Sequence, residues 1–188
     1  MTRGGDAPDH VRAFVALVIS SGLRARISEL VGEIKHRVAG VRFVRPEGIH
    51  LTLRFLGPTL PGQIQHLGPR LESVAAACPP TEARVAGLGL FPPRGSPRVL
   101  WLGVSMPPPV LALQAACEEA AVSAGFPPET RPFRSHLTLG RWRERVLSPE
   151  LPAADLGPVS LETLVLYRSE LRREGALYTP LASFPLGA

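Results

Sequence analysis

The residues of this chain best suited to chemistry come as a repeat: His50-Leu51-Thr52-Leu53 returns as His136-Leu137-Thr138-Leu139. With five histidines and eight threonines in the chain, chance supplies on the order of 0.2 His-x-Thr triplets, so two identical tetrads demand a common cause. In an extended strand successive side chains point to opposite faces. Each imidazole therefore shares a face with its threonine, and the leucines turn toward a core. Two imidazoles on one surface can hold one protonated and one neutral member near neutral pH. Displacement at phosphorus needs that combination, one group taking a proton from the attacking oxygen while the other gives one to the leaving oxygen. The threonine hydroxyls are short, uncharged donors suited to the non-bridging oxygens whose charge builds in the transition state.

Other chemistries lack their residues. A zinc site needs three or four ligands at suitable spacing, and no His-x-x-x-His, Cys-x-x-Cys or carboxylate cluster supplies them, so no metal and no other cofactor is expected. Arg94-Gly95-Ser96-Pro97 is not a nucleophile elbow, and neither a Walker loop nor a Gly-x-Gly-x-x-Gly fingerprint occurs. Cys78 and Cys117 are too few and too far apart for a disulfide framework, and read as thiols in a reducing compartment. The net charge is +5, carried almost wholly by arginine, Lys35 being the only lysine. Guanidinium forks fit phosphate oxygens, but the same arginine content follows from a biased genome composition, and both readings stand. The first ten residues lack the apolar stretch of a signal peptide, and no run of the sequence is apolar for long enough to cross a bilayer. A cytoplasmic protein with no membrane partner is the expectation.

The elements that must position the tetrads follow from periodicity. Residues 1–9 read as a flexible tail, and Val11 to Ser20 as a buried strand. Leu23, Ile27, Leu30, Val31, Ile34 and Val38 repeat at helical spacing, as do Ile64, Leu67, Leu71, Val74 and Ala75, and again Val110, Leu113, Cys117, Ala120, Ala121 and Ala124. The first tetrad opens a strand over Ile49 to Leu56, stopped by Gly57-Pro58, and the second lies in a strand over Ser135 to Arg143. Ala83 to Phe91, Arg98 to Val104, Val159 to Tyr167 and Ala176 to Phe184 supply further strands. This order is not a βαβα alternation, which favours α+β with mainly antiparallel sheet. Strand-helix-strand ending in a tetrad occurs over 11–56 and recurs over 98–143, so residues 1–188 read as one bilobal domain. Its two pseudo-symmetric lobes carry helices on their outer faces and place the tetrads across a central cleft.

The segments around the tetrads carry a resemblance. His50-Leu-Thr-Leu-Arg-Phe-Leu-Gly57 and Phe133-Arg-Ser-His-Leu-Thr-Leu-Gly-Arg141 resemble the paired signatures of the two-histidine phosphoesterases. Among these the chain is similar to the RNA 2′,3′-cyclic phosphodiesterases, also known as 2′-5′ RNA ligases. Phe14-Val15-Ala16-Leu17, Phe91-Pro92-Pro93, Pro97 to Trp101, Gly125-Phe126, Leu166 to Ser169 and Tyr178 extend the likeness over nearly the whole chain. The resemblance implies metal-free hydrolysis of a terminal 2′,3′-cyclic phosphate to a 2′-phosphate. It implies His50 as general acid toward the 3′-oxygen, His136 as general base on water, and Thr52, Thr138 and Arg141 on the phosphate. The partners so implied are RNA ends or nucleotides bearing a cyclic phosphate; a monomer is the expectation. ATP-independent 2′-5′ joining at the same site, or an idle nucleotide- or RNA-binding module, remain alternatives.

Four further residues are weighed on spacing. Arg54, four residues after His50, shares its face in a regular strand and so is a candidate for the phosphate, beside the reading of a solvated or carboxylate-paired arginine. Arg141 lies five after His136 and points away unless the strand is broken near Gly140. Phe133 is a candidate for base stacking, with a core role as the alternative. Trp101, inside an apolar run, reads as core.

Overall fold

Val11–Val18, dense in β-branched and apolar side chains, forms strand β1 of the computed structural model, which describes residues 10–173 and 175–187. The expected tail over 1–9 lies outside the described residues. Helix α1 (Ser21–Ile34) starts where the Ser20 side chain accepts a hydrogen bond from the Leu23 N–H at 3.2 Å, and it buries Leu23, Ile27, Leu30 and Ile34. A short strand, β2 (Arg42–Phe43), and a 3₁₀ turn (Pro46–Gly48) lead into β3 (His50–Thr59). Helix α2 (Pro61–Ala76) buries Leu67, Leu71 and Ala75. Strands β4 (Thr81–Phe91) and β5 (Val99–Val104) precede α3 (Pro108–Ser123), after which Gly125, with φ of 87°, turns the chain out of the helix. Four strands finish the described chain: β6 (His136–Arg141), β7 (Asp155–Leu161), β8 (Thr163–Arg172) and β9 (Gly175–Pro185).

All pairings among these strands are antiparallel. The order is β7-β4-β5-β6-β3-β1-β8-β9, with β2 on β6. One lobe is β3-β1-β8-β9 and the other β6-β5-β4-β7, and β1-α1-β3 in the first is matched by β5-α3-β6 in the second. The α+β, bilobal, pseudo-symmetric arrangement expected from the sequence is the one found. The lobes join through the pair Leu51 and Leu137. Leu51, Leu53, Leu137 and Leu139 are buried in one core with the apolar stripes of all three helices. The helices thus cover the leucine face, and the opposite face, with the histidines, is free of them.

Several boundaries differ from expectation: α1 ends at Ile34, short of Val38, and β6 at Arg141, short of Arg143. Gly57-Pro58 does not stop β3, which runs on to Thr59 with Pro58 opposite Arg12 of β1. Beyond Leu51, β3 has no ladder with β6, so Pro58 lies where one edge of β3 is unpaired, a position that tolerates proline. The run Val159 to Tyr167 is two strands, divided at Glu162. Strand β7 pairs with β4 and β8 with β1, so the chain changes lobes there without a glycine or proline to mark it. No described helix is long and apolar enough to cross a membrane.

Candidate active site

The pairing of Leu51 with Leu137 fixes the geometry of the polar residues around it. Carried one residue to either side, that antiparallel register sets His50 opposite Thr138 and Thr52 opposite His136. Directly opposed Cβ atoms stand about 5 Å apart and diagonal ones about 7–8 Å. The two histidines occupy one diagonal and the two threonines the other, so a group placed at the centre meets all four. The histidines are near enough for the charge of His136 to bear on His50.

Beyond each threonine the strand breaks step. Strand β1 pairs Ala16 with Thr52 but Val15 with Arg54, leaving Leu53 as an extra residue in β3. Strand β5 pairs Trp101 with Thr138 but Leu100 with Gly140, leaving Leu139 extra in β6. Each bulge flips the residues that follow. Arg54 and Gly140, four after their histidines, go to the core side, whereas Phe55 and Arg141, five after, return to the site face. The first six residues of both strands show the same alternation of burial, with two buried residues in succession at 53–54 and at 139–140.

Arg54 is therefore not on the face of the two histidines, and the placement that regular strand spacing gave it is corrected. It is 7 % exposed, with Nε 2.5 Å from Glu118 Oε2 on α3. One Nη donates to the Phe55 carbonyl at 2.7 Å and the other to the Pro127 carbonyl. Glu118 also accepts the Glu129 N–H at 2.8 Å, so this ion pair ties β3 to the segment that delivers the second tetrad. Arg141 meets the condition its spacing set: the bulge supplies the break, and its charge bears on His136 and Tyr178. Phe133 is half-buried against the core. His10, His36 and His66, which stand in no repeated motif, are exposed.

Both imidazoles are held alike. His50 Nδ1 lies 2.9 Å from the Gly48 carbonyl and His136 Nδ1 2.7 Å from that of Arg134, each two residues back. A carbonyl only accepts, so Nδ1 carries the proton in both rings and Nε2 is left for chemistry. Burial lowers the pKa of both. His50 falls to about 4, burial and the charge of His136 outweighing the Gly48 hydrogen bond. His136 is lowered by burial and by Arg141, against the Arg134 carbonyl.

The burial comes from aromatic rings that sequence reasoning did not assign to the site. Phe14 stacks on His50 with centroids 4.6 Å apart, and Tyr178 meets the same ring edge-on at 5.0 Å. Phe91 lies edge-on to His136 at 5.1 Å, with Trp101 at 6.4 Å. Trp101 is thus on the site face and not in the core, because β5 pairs it with Thr138. The alternation of β5 against the second tetrad was the signal available for it. Phe55, 55 % exposed and 6.1 Å from Phe14, leaves an open aromatic face beside the pair.

Comparison with known proteins finds relatives over nearly the whole chain. The LigT like Phosphoesterase family matches residues 17–101 and 104–178. A curated relative from Methanothermobacter thermautotrophicus, named RNA 2′,3′-cyclic phosphodiesterase, is 34 % identical over 183 residues, covering 94 % of this chain and 99 % of its own. A Thermus thermophilus protein of the same name is 34 % identical over 189 residues, covering 94 % and 90 %. The crystal structure of TT0787 from Thermus thermophilus superposes with a TM-score of 0.83 at 29 % identity, covering 94 % of this chain and 98 % of that one. E. coli LigT complexed with 3′-AMP shares the fold with a TM-score of 0.82 at 24 % identity, covering 96 % and 100 %.

Proposed function

The chain belongs to the LigT-like phosphoesterase family, and from that premise we propose that it is an RNA 2′,3′-cyclic phosphodiesterase, a hydrolase that opens the cyclic end to a 2′-phosphate with His50 and His136 as its acid and base. The observation that carries the assignment is the crossed square of two Nδ1-tethered imidazoles and two threonines around the Leu51 and Leu137 junction.

The cyclic phosphate sits at the centre of that square. Thr52 and Thr138 donate to its non-bridging oxygens, and Arg141 pairs with its charge. Water attacks phosphorus and gives its proton to His136 Nε2, while the P–O3′ bond breaks and the departing oxygen takes a proton from His50 Nε2. Arg141 beside His136 favours the neutral ring, which suits the base. His50, walled by Phe14, Tyr167 and Tyr178, is neutral in the free protein at neutral pH. A bound phosphate monoanion offsets the burial penalty on its imidazolium, so His50 charges as substrate binds and meets the leaving oxygen as a strong acid. No group of three or more His, Cys, Asp or Glu that could hold a metal occurs among the described residues.

Incubation with a short RNA ending in a 2′,3′-cyclic phosphate, followed by mass and linkage analysis, tests the reading. The expected product has gained one water and carries its phosphate on the 2′ position. A 3′-phosphate would reverse the leaving group. An unchanged end would remove the hydrolase assignment, and a 2′-5′ junction with a 5′-hydroxyl acceptor would replace it.

A further inference from the structure

Strand β2 is two residues long, and it sets Arg42 directly opposite Arg141 of β6. Opposed residues of an antiparallel pair share a face, so Arg42 joins Arg141 on the side of His136 and Thr138. Like charges directly opposite weaken a ladder, and neither guanidinium has a carboxylate in any ion pair of the described residues. The repulsion is held in place from outside the pair. Arg42 Nη2 donates to the Arg173 carbonyl, at the turn between β8 and β9, at 3.1 Å, which fixes the guanidinium between the lobes. One donor of five is used there, and the Arg42 side chain is exposed. Phe43, its neighbour, pairs with Gly140 and packs on the core, so only Arg42 of this strand faces the site.

Arg141 is occupied by the reacting phosphate in the function proposed above, and the inference rests on that reading. A second cation fixed beside it matches a second anion one step along a chain. We infer that Arg42 binds the phosphodiester next to the cyclic end, so that the protein selects RNA chains over free cyclic nucleotides. The ligand class is a single-stranded oligonucleotide with at least one internal phosphate.

Steady-state hydrolysis of a 2′,3′-cyclic mononucleotide and of a short oligonucleotide with the same terminal nucleotide tests this, using wild type, Arg42→Gln and Arg42→Lys. Arg42→Gln should raise KM for the oligonucleotide about tenfold, the worth of one charge-assisted hydrogen bond, and leave kcat and all mononucleotide kinetics as in wild type. Arg42→Lys, which keeps the charge, should recover most of the loss. The slope of log KM for the oligonucleotide against log salt should shrink by about 0.7 in Arg42→Gln, as for one fewer phosphate contact on a single strand. An uncharged methylphosphonate at the linkage next to the cyclic end should bind wild type as poorly as natural RNA binds Arg42→Gln. Equal loss on both substrates, or no loss on either, overturns the inference. If wild type hydrolyses neither substrate, the reading of the site itself has failed, and this inference with it.

Discussion

Replacing Glu118 by glutamine tests whether Arg54 is a brace or a phosphate ligand. The substitution leaves a guanidinium that is 7 % exposed without its counter-charge. Breaking a buried pair by removing one partner costs about 3–5 kcal/mol. Two features reduce this: the Glu118 side chain is 24 % exposed, and Arg54 retains the Phe55 and Pro127 carbonyls. A loss of about 2–3 kcal/mol is therefore expected, which for a chain of this size lowers Tm by about 4–12 °C. Arg54→Met should destabilise comparably. The double variant Arg54→Met with Glu118→Leu should be more stable than either single change predicts by addition, because no charge is left buried. Calorimetry gives the stabilities, and KM for a cyclic-phosphate RNA, measured well below Tm, gives the other half of the test. It should stay within about twofold of wild type in all three variants, since no phosphate contact is lost. A normal Tm in Glu118→Gln, together with a raised KM and normal stability in Arg54→Met, would place Arg54 on the substrate and refute the reasoning.

The remaining expectations concern the site itself. The productive free enzyme carries one proton beyond the two Nδ1 hydrogens of the histidine pair, and both pKa values lie below the ordinary imidazole value, with His50 at about 4. Above the higher of the two, the protonated fraction falls tenfold per pH unit, so kcat/KM should decline with slope −1 from below pH 6.5 toward alkaline pH; an alkaline midpoint above 7 contradicts the burial argument. Gly89→Ala would put a Cβ within 2.1 Å of the Trp101 ring, so the ring must shift from its place beside His136. Its kcat should fall while KM holds, and an unchanged kcat means that Trp101 does not position His136. Gly140→Ala meets Val41 Cγ1 at 2.4 Å and the Arg42 carbonyl at 3.1 Å, so it should loosen β2 from β6 at a cost of about 1–3 kcal/mol, measured by thermal unfolding. Dialysis against EDTA should leave turnover unchanged; loss that a divalent metal restores would reopen the metal reading.

The tetrads were legible because strand alternation is a local rule, and it holds from His50 to Leu53 and from His136 to Leu139. The helices were legible for the same reason, their stripes repeating without interruption. Arg54, Phe55 and Arg141 were not, since a bulge depends on what the neighbouring strand pairs with, and counting along one strand carries the wrong parity across it. Trp101 was misplaced because an apolar run does not say which of its residues turn to the core. Its partner Thr138 does, and that partnership spans the sequence between two strands. The break at Glu162 was hidden because the chain passes from β7 to β8 with a single residue between them and no turn chemistry.

The central claim is that His50 and His136 act on one phosphorus as a unit, and the turnover of His50→Ala, His136→Ala and the double variant on a cyclic-phosphate RNA tests it most directly. Each single change should lower kcat by about 10² to 10⁴ with the fold intact by circular dichroism, and the double variant should be far less impaired than the product of the two, because removing one partner already disables the other. Near-normal turnover by either single variant, or losses that simply multiply, would contradict the account.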